Sequence, residues 1–268
     1  MNTITSFIKR HSLVTFFVLA IVISWGSYYI LSGPFLFPFG SILAALIVAS
    51  VTGGRTGLKD LASRCLQWNV GLKWYAAALF VPAFIGLSAV AINVLLGAPM
   101  PTVAQLGPWY GLLLMFPVAI IDAPLWEETG WRGYALPRFS ADRSALFNTL
   151  ILGVLLAAWH LPIALSGGPL ALPYLIGAIA SAVVTNWVYY NARESALLAI
   201  LYHSVANTVG LFFSTAFSGP DFARYFWLLA AVNIVAAALV ILLTGTSLQR
   251  RPIIQTRIAQ VDKPSTTG

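Results

Sequence analysis

The chain has 268 residues, 59% of them hydrophobic and only 9% charged, with a mean hydropathy of +0.84. A soluble domain carries about 25% charged residues, so this composition excludes a water-soluble globule, a disordered chain and a nucleic-acid-binding domain. The single cysteine, Cys65, excludes an intramolecular disulfide framework, and the net charge of +7 needs no polyanionic partner, because the basic residues follow membrane topology.

Charge-free runs cover 11–54, 74–121, 144–192, 195–220 and 225–249. A membrane helix takes roughly 20 apolar residues, so the first three runs hold two spans each and the last two hold one each. Breaks fall at Ser32-Gly33-Pro34, between Gly97 and Pro108, and between Ser166 and Pro169. The predicted spans are 13–31, 35–52, 74–96, 109–131, 146–165, 170–190, 195–216 and 225–244. Lys9 and Arg10 precede an apolar stretch too long for a signal-peptide core, which reads as the first helix. Residues 56–64 form a short amphipathic helix at the membrane surface, with Trp68 and Trp74 as interfacial anchors.

With the N-terminus placed inside, 14 of the 15 basic residues fall on the cytoplasmic side and only Arg224 falls outside. The expectation is an all-α, multi-pass inner-membrane protein with about eight transmembrane helices and both termini cytoplasmic. A single transmembrane domain covers 1–248, its motif-bearing core about 109–216, and 249–268 is a basic tail.

Ionisable groups within spans are costly and mark functional sites. They are few: Asp122, Glu127, Glu128, Arg132, His160 and His203. His11 sits beside Lys9 and Arg10 and reads as an interfacial residue. Glu128 and Arg132 are four residues apart on one helical face and can pair. Glu127 is rotated about 100° from Glu128, which leaves it the freer carboxylate and the better general base. The alternative is an interfacial charge cluster that ends a helix. His160 lies in the fifth span, where it serves either as a site residue or as an interhelical hydrogen-bonding group. His203 and Asn207 share a face of the seventh span, and packing by Ser204 and Ala206 is the plainer reading there. Asp122 either supports the site from beside it or marks a water-accessible flank. A hydrolytic site and a proton relay use these same residue types.

Glu127-Glu128-x-x-x-Arg132, His160 on the next span, and His203-x-x-x-Asn207 two spans later resemble the CAAX-protease and bacteriocin-processing family of intramembrane endopeptidases. The family includes type II prenyl-protein proteases. The resemblance implies hydrolysis of a peptide bond in a membrane-associated peptide or protein, such as a prenylated or transmembrane one. It makes Glu127 the base that activates water with His160 assisting, Glu128 and Arg132 the pair that orients the helix, and His203 with Asn207 the oxyanion donors. A zinc ion held by Glu127, His160 and His203 and a metal-free glutamate mechanism both stand at this point. One departure from the family pattern is Leu156, where a phenylalanine usually precedes the histidine by four residues.

Straight helices do not level these groups. His203 lies roughly 12 Å into its span and His160 roughly 21 Å into its own. A distorted fourth helix, with Pro124, Gly130, Gly133 and Pro137, and a polar cavity facing the cytoplasm are therefore expected. Two other functions share the composition: a non-catalytic peptide-binding or bacteriocin-immunity protein, and a proton-coupled transporter. The transporter would more often show two related halves, and none is visible.

Overall fold

The computed structural model describes residues 3–30 and 36–249. The expected turn at Ser32-Gly33-Pro34 and the tail beyond Gln249, with Arg250, Arg251, Arg257 and Lys263, lie outside the described residues. The helices are α1 (Thr3–Arg10), α2 (Ser12–Ile30), α3 (Phe39–Cys65), α4 (Leu72–Leu95), α5 (Val103–Leu106), α6 (Gly111–Asp122), α7 (Pro124–Glu128), α8 (Ala145–Trp159), α9 (Leu161–Ser166), α10 (Ala171–Asn191), α11 (Ala196–Ser214) and α12 (Gly219–Thr244). No strand forms among the described residues. The chain is an all-α polytopic membrane protein.

Seven helical segments among the described residues are long and apolar enough to cross a bilayer. The expected fifth span is the exception. Its helix α8 has 15 residues, roughly 22 Å at 1.5 Å per residue, and stops short of a hydrocarbon core about 30 Å thick. His160 ends α8, and α9 resumes beyond it with Pro162 in its first turn. A proline lacks the N–H that would continue the ladder, so the expected fifth span consists of two helical pieces hinged at His160.

The fourth span is also broken. α6 ends at Asp122, Ala123 departs from helical geometry (φ −140°, ψ −51°), and α7 restarts at Pro124. α6 keeps most of its surface exposed, as a lipid-facing helix does. α7 and the π-helical segment that continues it, Thr129–Ala135, are mostly buried. The single predicted span 109–131 is thus a peripheral helix followed by an interior one.

Glycine makes that interior position possible. A Cβ on Gly130 would stand 2.6 Å from Ser41 Cβ and 2.8 Å from the Ser41 backbone, so α3 and the π-helical segment meet nearly backbone to backbone. Gly86 does the same for α4 and α11, where a Cβ would lie 2.5 Å from Val209. Close approach of small residues is the usual way membrane helices gain packing contact without a hydrophobic drive. Phe16, Phe17, Trp131 and Tyr134 fill one core between α2, α3 and the π-helical segment. Val183, Val184, Leu198 and Tyr202 fill another, among α4, α10, α11 and α12.

Residues 55–65, expected to hold the amphipathic helix, continue α3 beyond a kink at Gly54 (φ 56°, ψ −137°). Trp68 is exposed as an anchor would be, whereas Trp74 is buried, edge to face with Trp187 at 5.2 Å. It belongs to the core. The segment's charges tie one end of the bundle together: Asp60 takes Arg64 at 3.3 Å and Arg138 at 3.4 Å, and Arg64 also pairs with Glu194. At the opposite end Arg224 bonds Asn93 Oδ1 at 2.7 Å and pairs with Asp221 at 2.8 Å, which fastens α12 to α4.

Candidate active site

The two breaks bring the ionisable residues together. Glu127 and Glu128 come from α7, His160 from the α8–α9 hinge, and His203 with Asn207 from α11; all five, with Arg132 and Asp122, line one cavity of about 490 Å³. The hinge places His160 at the end of a short helix, and the break at Ala123 turns Glu127 inward. Those two features remove the mismatch in depth that straight helices would impose.

The two carboxylates are separated in function by their partners. Glu128, 2% exposed, receives Arg132 Nη1 on both oxygens, at 2.7 and 2.9 Å. Its Oε1 also lies 2.9 Å from His203 Nδ1. Arg132 donates from Nε to Asn186 Oδ1 at 2.9 Å, and Asn186 Nδ2 donates to Thr149 Oγ1 at 3.0 Å. A buried polar chain therefore runs Thr149–Asn186–Arg132–Glu128–His203 across α8, α10, the π-helical segment, α7 and α11. Such networks are stable when every member is satisfied and fix the geometry of what they hold.

Glu127 has no such engagement. Its Oε2 faces His160 Nε2 at 3.9 Å, beyond direct hydrogen-bond length and within the span of one bridging water. His160 Nδ1 sits 2.9 Å from the Leu156 carbonyl. A carbonyl only accepts, so Nδ1 carries the hydrogen and, in the neutral ring, Nε2 is an acceptor. The ring packs edge to face on Trp159 at 4.6 Å, and Trp25 Nε1 donates to the Trp159 carbonyl at 2.9 Å. Leu156, the departure from the family pattern, is buried and lines the cavity with its side chain, so the pocket wall there is aliphatic.

Asn186 and Thr149 carry no motif signal and were not among the candidate residues; their one trace in the sequence is an uncompensated amide and hydroxyl inside apolar runs. Asp122 is exposed and sits on the cavity rim. The three groups considered for zinc do not form a ready ligand set. Catalytic zinc takes three protein ligands, and among the described residues no group of three His, Cys, Asp or Glu side chains is arranged to hold a metal ion.

Residues 108–209 match the family described as type II CAAX prenyl endopeptidase Rce1-like. Over this segment the chain is similar to that family. The segment holds all of Glu127, Glu128, Arg132, His160, His203 and Asn207, so the family resemblance read from the motifs is shown where the cavity residues lie. The chain is also similar to a curated relative, the CAAX prenyl protease 2 of Methanococcus maripaludis, 23% identical over 99 residues. That alignment covers 33% of this chain and 36% of the relative, about a third of the length of each.

Proposed function

We propose that the protein is an intramembrane endopeptidase that hydrolyses a peptide bond of a membrane-associated substrate with water activated by Glu127 and His160. The observation that carries this reading is the facing pair of acceptors, Glu127 Oε2 and His160 Nε2, 3.9 Å apart in a cavity. A water between two acceptors donates both hydrogens to them and turns a lone pair outward. It is thereby oriented for attack on a carbonyl carbon.

In the proposed step the water oxygen bonds to the scissile carbonyl carbon while Glu127 takes one of its protons. The tetrahedral intermediate then expels the amine, which receives that proton from Glu127. Glu128, Arg132, Asn186 and Thr149 do not touch the reacting atoms in this scheme and are positioning residues. They hold His203 with Nδ1 toward Glu128 and Nε2 toward the cavity. Two carboxylates against one guanidinium leave one negative charge in the cluster, and a second proton on His203 balances it. In that form His203 Nε2–H donates to the developing oxyanion, and the Asn207 amide, one turn along α11, donates beside it.

The largely apolar cavity suits a substrate that reaches it from within the bilayer. Proton-coupled transport would use the same groups; the match of residues 108–209 to an endopeptidase family favours hydrolysis. The test is cleavage of a lipidated or transmembrane peptide by purified protein, with Glu127→Ala and His160→Ala alongside. Cleavage by wild type and its loss in both variants is expected; variants that cleave as well as wild type overturn the reading.

A further inference from the structure

The cavity walls all rise on one side of the buried polar chain. On α11 the lining runs from Tyr202 to Ser214, on α10 from Thr185 back to Pro173, and on α12 from Asn233 back to Tyr225. Each run leads away from the end where Asp60, Arg64, Arg138 and Glu194 meet, and toward the end where Arg224 clamps α12 to α4. At 1.5 Å per residue the α11 wall alone covers roughly 18 Å.

The other side of the layer is packed shut. Tyr134, Tyr189, Val188, Ala192, Ala196 and Leu198 are all fully buried between the polar chain and the basic loops. Asp122 adds an independent observation. It is exposed on the rim of the cavity, and a carboxylate facing hydrocarbon at depth costs several kcal/mol, so its exposed face meets solvent. The expected cavity is present, but it faces away from the basic loops rather than toward them.

Apart from Arg132 in the polar chain and Arg224 at the open end, the 15 basic residues belong to segments of the closed end or to the tail sequence, and that asymmetry marks the cytoplasmic side. We propose that the cavity is entered from the non-cytoplasmic half of the bilayer. The substrate is then a peptide segment inserted into, or carried across, the membrane that presents an extended stretch there, not a soluble cytoplasmic tail. The direction of access stands without any catalysis; the substrate class rests on the hydrolytic reading above.

Substituted-cysteine labelling tests this directly. In a Cys65→Ser background, Ala178→Cys and Ser214→Cys place thiols on the cavity wall; Ser140→Cys and Ser218→Cys report the closed and open ends. A membrane-impermeant thiol reagent applied to intact cells is expected to label positions 218, 214 and 178 but not 140, and inverted vesicles should give the reverse. Labelling of 178 and 214 only from the face that labels 140, or from neither face, overturns the proposal. Labelling of 140 from outside removes the cytoplasmic assignment of the basic end and with it the proposed side of entry. Blocking the Ser214→Cys thiol from outside should also slow cleavage of a membrane-inserted peptide at least tenfold, and unchanged cleavage after full labelling removes the substrate route. The labelling reads geometry alone, so an inactive protein would still answer the first question.

Discussion

Replacing Arg132 by leucine strands Glu128, which is 2% exposed and otherwise bonded only to His203. Removing one partner of a buried ion pair costs about 3–5 kcal/mol, whereas replacing both by apolar groups is often close to neutral. The Glu128→Leu/Arg132→Leu double variant therefore recovers most of that loss. Recovery is incomplete because Asn186 Oδ1 keeps no donor in its place, a penalty of about 1–3 kcal/mol. Thermal unfolding in detergent should show Arg132→Leu depressed by on the order of 10 °C and the double variant lying between it and wild type. Activity should be absent in the double variant, where His203 loses Glu128, and reduced in the single, where Glu128 loses the arginine that positions it. An Arg132→Leu midpoint equal to wild type, or a double variant no more stable than the single, refutes the buried-pair reasoning.

Glu127→Gln preserves size and should leave the unfolding midpoint within a degree or two while lowering the cleavage rate by about 10²–10⁴-fold, the scale of a lost general base; an active amide variant assigns the proton transfer elsewhere. Gly130→Ala drives a Cβ to within 2.6–2.8 Å of Ser41 and should destabilise the fold by about 1–3 kcal/mol, read as a lower yield of monodisperse protein; a neutral result means α3 shifts freely. Asn186→Leu acts only through Arg132, so it should lower kcat with little change in KM, and a pure KM effect contradicts its positioning role. Chelator treatment should leave activity in place, because Glu128 is committed to Arg132 and His203 and the remaining donors form no three-ligand set; loss of activity restored by added zinc identifies a metal site formed on rearrangement.

Much of the fold is legible because charge is so scarce: each gap between charged residues measures hydrocarbon thickness, and seven of the eight expected spans follow from that ruler. The broken fifth span shows its limit. Pro162 is visible in the sequence, but that the helix stops at His160 depends on what packs around it. Glu128 with Arg132 was readable from their four-residue spacing, since both sit on one helix. The bond from Glu128 to His203 and the chain through Asn186 and Thr149 join residues 37 to 75 positions apart, and no local period encodes such contacts. Trp74 misled for a related reason. A tryptophan near a span end suits the interface, yet Trp187 offers it a partner inside. The inward turn of α7 needs Gly130 against Ser41, a contact between distant helices that only the assembled bundle reveals.

The central claim is that Glu127 and His160 act on one and the same water, and a double-mutant cycle on cleavage of a membrane-associated peptide tests it most directly. Glu127→Gln and His160→Ala should each cost at least about 10²-fold, and the double variant should lose no more than the worse single, because removing the water's second acceptor adds little once the first is gone. Singles that cleave like wild type, or losses that multiply in the double variant, would contradict it.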